Sequence, residues 1–417
     1  MIIKQSKIKP SKITINGEFW DIYLYQNKLY LFMFKTKEIK IIDWCNFVDQ
    51  FCNNPKLELG YRCAFWNSDY LYDATQKGIF DDKEFKDVLI RKFERIGDIL
   101  VDANDDKIQK WEIYKIKSSY PQYFADMDVY NNKIYLGCEN GIYYASINKK
   151  RLKTKPGLEF IHVESTSSLN VSSMKFMSGG DLLLSTQNTG LYEYNTFLAD
   201  RTEFNDENYN KNFLEQISSE HSSYVGTNYS SVLSASYIKE PTFIQRDYAI
   251  REDDKKERID KKKYNIAEIF NDNEKKGFYF SFNEKIYQIL NSKLSCCHFL
   301  QKEDDKDKIF YNIENIKEIN DINNEDIVSA SVETFGVVIE CKNKLIVLLS
   351  DDSIYEYISD ETSKIVSFRT YPRSNCYTNQ LHIIYNNKIE IISFNQDYFE
   401  DQNSKKIGIK FRRMTRV

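Results

Sequence analysis

A hairpin pattern recurs along the chain and constrains its fold more than any other feature of the sequence. Each copy has a polar turn, three or four apolar or aromatic residues, a small polar break that often contains Gly, and a second apolar strand. Four copies align with one another, at residues 67–80, 132–147, 180–195 and 343–358. Further hairpins occupy residues 21–34, 277–290 and 380–394. Strands and turns at this spacing predict an all-β protein built from repeats.

A second pattern, in which small residues alternate with β-branched ones, precedes several of these hairpins. It reads VSSM at Val171, VLSAS at Val232, IVSAS at Ile327 and IVSF at Ile365. Strands of this composition suit a crowded place, such as the inner strand of a propeller blade. We therefore expect these four segments to be the innermost strands of their blades.

The repeating units begin near Glu18, Tyr61, Tyr123, Asn170, Tyr229, Asp326 and Lys364. With units of roughly 50 to 60 residues, the chain resembles a β-propeller of the WD40-like or kelch-like kind over nearly its whole length. The Gly-His and Trp-Asp pairs of WD40 blades are missing, and Trp20-Asp21 opens a strand instead of closing a blade. The resemblance implies one all-β propeller domain over residues 1–417, with seven blades, or six or eight as alternatives. Two packed β-sandwiches are the competing fold.

Four stretches interrupt the repeat, at residues 43–54, 81–98, 206–220 and 251–263. The first three have helical patterns, whereas the fourth carries both charge signs with almost nothing apolar and indicates a solvated excursion. Two hypotheses are open for the first two helices, because their apolar faces can either dock a partner or pack on their own blade. The candidate partner-binding side chains are Trp44, Phe47, Phe51, Phe85, Leu89 and Phe93.

No contiguous catalytic or cofactor motif is present, since the phosphate loop, the GxGxxG turn and the GxSxG and HExxH signatures are all missing. The densest group of candidate ligands is Cys296-Cys297-His298. Neighbouring strand residues point to opposite faces, so this run offers at most two ligand atoms on one side, and zinc takes four. Cys296 and His298 share a face, but we expect a structural thiol pair, with no catalytic residue, metal or cofactor.

The two ends of the sequence are basic and contain no acidic residue. We expect segments 11–17 and 406–414 to pair and close the propeller, which would gather the terminal cations on an otherwise acidic body. Such a patch suits an anionic partner. Its candidate residues are Lys4, Lys7, Lys9, Lys406, Lys410, Arg412, Arg413 and Arg416.

The bulk properties narrow the function without naming it. The chain has 417 residues and a formal net charge of −4, and it shows no signal peptide and no apolar run near the roughly 20 residues of a membrane span. We therefore expect a cytoplasmic, non-catalytic scaffold for protein–protein interactions or a subunit of a larger assembly. The alternative is a nucleic-acid-associated subunit, in a ribonucleoprotein or a bacterial defence complex, that binds through the basic ends. A third hypothesis is an enzyme with a site at the axial mouth.

Overall fold

The fold is a β-propeller, as the repeats predict, and its strands form seven sheets in the described part of the chain. The computed structural model describes residues 9–52, 55–66, 82–120, 123–147, 157–176, 180–186, 189–196, 211–215, 221–225, 231–235, 241–250, 256–274, 276–299, 310–319, 322–351, 353–372, 374, 376–399 and 405–410. These residues divide into two compact units, one over 1–119 with 327–417 and one over 120–326. The assignment of 1–417 to a single domain stays a prediction.

Unit 1 contains three sheets. Sheet I has the order β2 (Phe19–Tyr25), β3 (Lys28–Met33), β4 (Glu38–Asp43) and β6 (Glu112–Ser119). Sheet VI has β23 (Ile327–Val332), β24 (Gly336–Cys341), β25 (Lys344–Leu349) and β26 (Ile354–Ile358). Sheet VII has β27 (Ile365–Thr370), β28 (Gln380–Tyr385), β29 (Lys388–Ser393), β1 (Ser11–Asn16) and β5 (Ile99–Asp102). All pairs are antiparallel except β1 with β5.

Unit 2 contains four antiparallel sheets, each of four strands consecutive in sequence. Sheet II has β7 (Asp126–Tyr130), β8 (Lys133–Cys138), β9 (Gly141–Ser146) and β10 (Ile161–His162). Sheet III has β11 (Val171–Phe176), β12 (Asp181–Thr186), β13 (Gly190–Asn195) and β14 (Lys211–Glu215). Sheet IV has β15 (His221–Val225), β16 (Ser231–Ala235), β17 (Thr242–Ile250) and β18 (Lys256–Asn265). Sheet V has β19 (Phe278–Phe282), β20 (Lys285–Leu290), β21 (Lys293–Phe299) and β22 (Phe310–Glu318).

The helices are short and most of them lie in unit 1. They are α1 (Trp44–Asp49), α2 (Pro55–Tyr61), a π-helical turn (Arg62–Trp66), α3 (Lys83–Arg95), α4 (Asp106–Gln109) and α5 (Ile266–Ile269). Single 3-10 turns occupy Glu164–Thr166, Asn324–Asp326 and Asn395–Phe399. Helices thus occur at both of the places predicted for α1 and α3, where an Asp side chain caps each N-terminus.

Asparagine makes the tight hairpin turns possible. Asn131 and Asn132, between β7 and β8, have φ values of 45° and 59°. The primed two-residue turns that match strand twist need positive φ at both positions, and Asn tolerates that conformation better than other residues with a side chain. This Asn-Asn pair, at the polar turn of the repeat, is therefore what sets the register of the hairpin.

The strand named first in each sheet above forms one edge of that sheet, and we call it the first strand. In unit 2 the first strands of successive sheets lie side by side. Strand β11 contacts β7 and β15, and β15 contacts β19, as expected for the inner strands of neighbouring blades. Val171, Ile327 and Ile365 do begin such strands. The prediction for Val232 is wrong, because Val232 lies on β16, the second strand, and the edge position belongs to β15.

In unit 2, aspartate side chains on the first strand of sheet II accept hydrogen bonds from backbone amides on the first strand of sheet III. Asp126 accepts a hydrogen bond from the Met174 amide at 2.9 Å, and Asp128 accepts one from the Phe176 amide at 3.3 Å. An edge strand otherwise presents unpaired amides that would have to be satisfied by solvent or another chain. These two aspartates therefore hold sheets II and III together at their edges.

Sheet VII joins the two ends of the chain, although with a different partner from the predicted one. Strand β1 pairs antiparallel with β29, from Ser11 opposite Ser393 to Asn16 opposite Lys388. Residues 405–410 form no strand, so the predicted pairing of 11–17 with 406–414 is wrong over the described residues, and 411–414 lie outside them. The C-terminal segment instead crosses the β23–β24 turn, where the Ile409 amide donates to the Glu333 carbonyl at 2.7 Å.

Two predicted interruptions are strands. Residues 211–215, placed in a predicted helix at 206–220, form β14 on the edge of sheet III. Residues 256–263, placed in a predicted solvated excursion, belong to β18, which pairs with β17 along its length. A strand at the outer edge of a sheet keeps both faces near solvent, so its sequence can be fully charged while its backbone is hydrogen-bonded.

Candidate interaction surface

The six apolar side chains proposed for docking pack inside unit 1 instead. Trp44, Phe47, Leu89 and Phe93 are buried, and Phe51 and Phe85 pack half-buried against the same core cluster. The hypothesis that these helices dock a partner through these residues is thus corrected, because the apolar faces of α1 and α3 complete the core between the helices and their own sheets.

Side chains of sheet VII hold the π-helical turn through its backbone carbonyls. Gln380 donates to the Phe65 carbonyl at 3.0 Å, and Asn379 donates to the Ala64 carbonyl at 3.1 Å. Trp44 also donates its indole N–H to the Phe65 carbonyl at 2.6 Å. Buried carbonyls released by an irregular helix need such partners. The helices are therefore anchored at the end of β28 that begins with Gln380.

A buried histidine continues this network. The Gln380 side-chain carbonyl lies 3.0 Å from Nε2 of His382, and the Tyr371 hydroxyl lies 3.1 Å from Nδ1. The Tyr371 hydroxyl also accepts a hydrogen bond from the Leu24 amide, so it has its own proton to donate to Nδ1. Burial lowers the pKa of His382 to about 3, which keeps the imidazole neutral.

The opposite end of β28, about 17 Å away, pairs with the start of β27, where an apolar residue is exposed. In three sheets of unit 1 the pairing of the first strand skips its second residue, which forms a bulge at the same register position. The skipped residues are Trp20 on β2, Val328 on β23 and Val366 on β27. Bulges of this kind re-aim a side chain out of the regular ladder.

These bulged residues and one neighbour form what we call the bulge surface, defined as Trp20, Phe34, Val328 and Val366. Val328 is 45% exposed, Val366 is 50% exposed, and Phe34 is 39% exposed. The Trp20 and Phe34 rings stack at a centroid distance of 5.7 Å. An exposed ion pair between Glu18 and Lys35 borders the two rings. The bulge surface thus combines apolar side chains with a rim of both charge signs.

Buried charges beneath the bulge surface fix its strands. Arg369 on β27 forms a two-pronged ion pair with Asp21 on β2, with Nε at 3.0 Å and Nη2 at 2.5 Å from the carboxylate oxygens. On the neighbouring sheet, Ser329 donates to Glu340 at 2.6 Å. Burial raises the pKa of Glu340, and the Ser329 hydrogen bond and the nearby Arg369 charge counteract this effect. Charge-assisted, bidentate contacts of this kind are geometrically specific, so sheets I and VII are held in a defined register.

The basic ends are only partly described. Lys9, Lys406 and Lys410 are exposed, whereas Lys4, Lys7, Arg412, Arg413 and Arg416 lie outside the described residues. Lys405, which was not singled out, is buried and forms an ion pair with Asp397 at 2.6 Å. The start of β1 lies at the Gln380 end of sheet VII, because Ser11 pairs with Ser393, opposite Gln380. The 405–410 segment contacts Asp397, which follows β29, and Glu333.

The Cys296–His298 run is also placed by the structure. Cys297 points into the core cluster with Phe243 and Phe299, and Cys296 and His298 share the other face of β21. Glu314 on β22 lies directly opposite Cys296. Burial raises the pKa of Cys296, and burial with the neighbouring Lys285 charge lowers the pKa of His298. The expectation that this run is not catalytic stays a prediction.

Sequence reasoning missed the bulge surface and Glu314. The alternation of small and β-branched residues did identify the strands that carry Val328 and Val366, but it did not single out either valine as exposed. The sequence signal that could have revealed the bulge surface was the dipeptide Ile-Val before Ser, which occurs in both strands, at Ile327 and Ile365.

In the described residues no helix has the length and hydrophobicity to cross a membrane.

The chain is similar to several solved structures at low sequence identity. No protein-family model and no curated protein matches the chain. Among solved structures, the N-terminal domain of Nup159 is 10% identical, with 94% of each chain covered and a TM-score of 0.44. The Cps50 (Swd1) β-propeller domain of Myceliophteria thermophila is 10% identical over 63% of this chain and 93% of that chain, with a TM-score of 0.37. The extracellular domain of a putative one-component system of B. thetaiotaomicron is 8% identical over 91% of this chain and 40% of that chain, with a TM-score of 0.44. The strand order of its own sheets identifies this chain as a β-propeller.

Proposed function

We propose that the chain is a non-catalytic scaffold that binds a protein partner through the bulge surface. The observation that carries the proposal is the outward placement of Val328 and Val366 at equivalent bulges of neighbouring sheets. Apolar side chains held in one place on a rigid edge, with a polar rim, are the pattern of a protein interaction site.

The energy available at this surface is modest but sufficient for recognition. Burying a whole valine side chain stabilises by about 1.5 kcal/mol or more, so each half-exposed valine offers about 1 kcal/mol. The bulges and the Asp21–Arg369 ion pair fix the strands before binding, so little conformational entropy is lost on association. A partner with an apolar side chain framed by charged groups fits this surface.

The experiment introduces a photocrosslinking amino acid at position 366 in the native host and identifies the crosslinked protein. Recovery of that protein is then compared between the wild-type chain and the Val328→Asp/Val366→Asp variant. Losing two contacts of about 1 kcal/mol each should weaken binding about 30-fold. Leu100→Asp is the matched control, because Leu100 is 66% exposed on the outer strand β5 of sheet VII.

The proposal predicts that the Leu100→Asp variant recovers the partner as well as the wild-type chain does. Equal recovery with the double variant, or crosslinking from position 100 and not from position 366, would show that the partner binds elsewhere. Unfolding curves of both variants confirm that the fold is intact before recovery is compared.

Nucleic-acid binding is the second candidate, and one observation favours it. The exposed Lys9 precedes β1, and the exposed Lys406 and Lys410 follow Lys405, which contacts Asp397 just after β29, the strand that pairs with β1. Salt-dependent retention of DNA or RNA at low ionic strength tests this function, and Lys406→Ala/Lys410→Ala should lower the salt slope by up to about two. Binding that does not depend on salt contradicts it.

A reducing, cytoplasmic environment is part of the proposal. All eight cysteines are free thiols in the structure, and the strand residues Cys138, Cys296, Cys297 and Cys341 are buried. Free thiols persist where glutathione and thioredoxin keep them reduced. Thiol labelling of the native protein, before and after reduction, checks this: the same number of reactive thiols is expected in both.

A further inference from the structure

Three ligand-capable side chains meet on one face of sheet V. Cys296 and His298 are two residues apart on β21 and therefore point the same way. Glu314 on β22 pairs directly with Cys296, which places its side chain on that same face. The thiol sulfur, an imidazole nitrogen and a carboxylate oxygen all lie within 4.8 Å of one another.

The strand pairing brings these groups together in a way that a regular ladder would not. The register between β21 and β22 shifts twice, once between Leu294 and Ser295 and once between Cys297 and His298. Glu314 therefore sits in a short paired segment with an irregularity on each side. Bulges increase local twist and re-aim side chains, and they are common beside functional sites.

We propose that Cys296, His298 and Glu314 form a binding site for a zinc ion. A thiolate, an imidazole and a carboxylate are all zinc ligands, and this mixture is too soft for magnesium or calcium. Ligand atoms around a tetrahedral zinc ion lie about 3.5 Å apart, so closing the cluster by about 1 Å through side-chain rotation is enough. The three protein ligands leave a fourth position for water.

Two neighbouring residues define the surroundings of the site. Lys285 on β20 pairs with His298, and its charge reaches both Cys296 and His298. Its side chain is long and half-buried, so the ammonium group can move toward solvent when a divalent cation enters. Cys297 lies on the opposite face, in the core, and does not reach the site.

The test uses the full-length chain, stripped with a chelator and titrated with Zn²⁺ against a competing chromophoric chelator. One zinc ion per chain is expected. A second titration with Co²⁺ should give the charge-transfer absorption of a cobalt–thiolate bond, which reports the cysteine directly. Changing a residue that only hydrogen-bonds to a metal ligand already lowers metal affinity about 10- to 100-fold. Replacing a ligand itself, in Cys296→Ser, should therefore weaken zinc binding by about 100-fold.

Two further variants separate a ligand from a structural residue. Glu314→Gln keeps the size of an exposed side chain, so it should lower zinc affinity without changing the unfolding curve. Cys297→Ala is the matched control and should keep both the zinc stoichiometry and the cobalt–thiolate absorption. The proposal is overturned if the wild-type chain binds no zinc, or if the Cys296→Ser variant keeps the same affinity and the same absorption.

Discussion

The buried imidazole of His382 gives unit 1 a pH dependence that can be measured. His382 is fully enclosed and its two nitrogens are engaged by Tyr371 and Gln380, so the folded state holds it neutral with a pKa of about 3. In the unfolded chain the same group has a pKa near 6.5. The unfolded state therefore binds more protons below pH 6.5, and stability falls as the pH falls from 6.5 toward 3.

The magnitude follows from these two values. One pKa unit corresponds to about 1.36 kcal/mol, so acidification from pH 8 to pH 5 should cost about 2 kcal/mol of unfolding free energy through this one group. The result at pH 5 hardly depends on the folded-state value, because the folded imidazole is still neutral there. Above pH 7 both states are neutral and the contribution vanishes.

The assay compares urea unfolding of the wild-type chain and of the His382→Gln variant at pH 8 and pH 5. Carboxylates titrate in both proteins and cancel in the difference. We expect the variant to be less stable at pH 8 by about 1 kcal/mol, from an imperfect hydrogen-bond network, and to lose about 2 kcal/mol less on acidification. Curves that stay parallel within about 0.5 kcal/mol would refute the reasoning, because additivity of independent effects is that good.

Three further changes test other parts of the fold by equilibrium unfolding. Asp21→Ala leaves the Arg369 guanidinium without its carboxylate and should cost about 3 kcal/mol, part of which the double change with Arg369→Ala recovers; a cost under about 1 kcal/mol would contradict the buried ion pair. Gly141→Ala places a Cβ 2.5 Å from the Thr166 carbonyl oxygen at a φ of 104°, so a loss of about 2 kcal/mol is expected, and an unchanged midpoint would show that this turn relaxes. Trp44→Phe removes the indole hydrogen bond to the π-helical turn and should cost about 1 to 3 kcal/mol, whereas a neutral result would mean that water replaces the donor.

The repeated hairpins were predictable because they depend on local information. Alternating apolar residues and polar turns identify a hairpin wherever they occur, and the alternation of small with β-branched residues placed Val171, Ile327 and Ile365 on first strands. Val232 was misplaced because the true first strand, β15, reads HSSYV and is too polar to stand out. What defines β15 as the edge is its contact with β11 and β19, which is long-range information.

Charged edge strands and cross-strand neighbours were not predictable for a related reason. The sequence of β18 predicts a solvated excursion, but its backbone pairs with β17, which composition does not reveal. In the same way Cys296 and His298 were visible as a pair, while Glu314 joins them only through the register of β22. The exposed Val328 and Val366 depend on bulges, which a regular two-residue period places on the wrong face.

The pairing of β1 with β29 has a consequence for how the chain is made. The partner of Asn16 is Lys388, so β1 leaves the ribosome long before the strand that completes its sheet. At 5 to 20 residues per second, the delay is roughly 20 to 70 seconds. During that time Ile13 and Ile15 of β1 can contact only the early part of their core, such as Trp44, Phe47 and the parallel strand β5. The edge of β1 that pairs with β29 stays unpaired until Lys388–Ser393 is made, so sheet VII is completed late in synthesis, whereas the sheets of unit 2 form from consecutive strands.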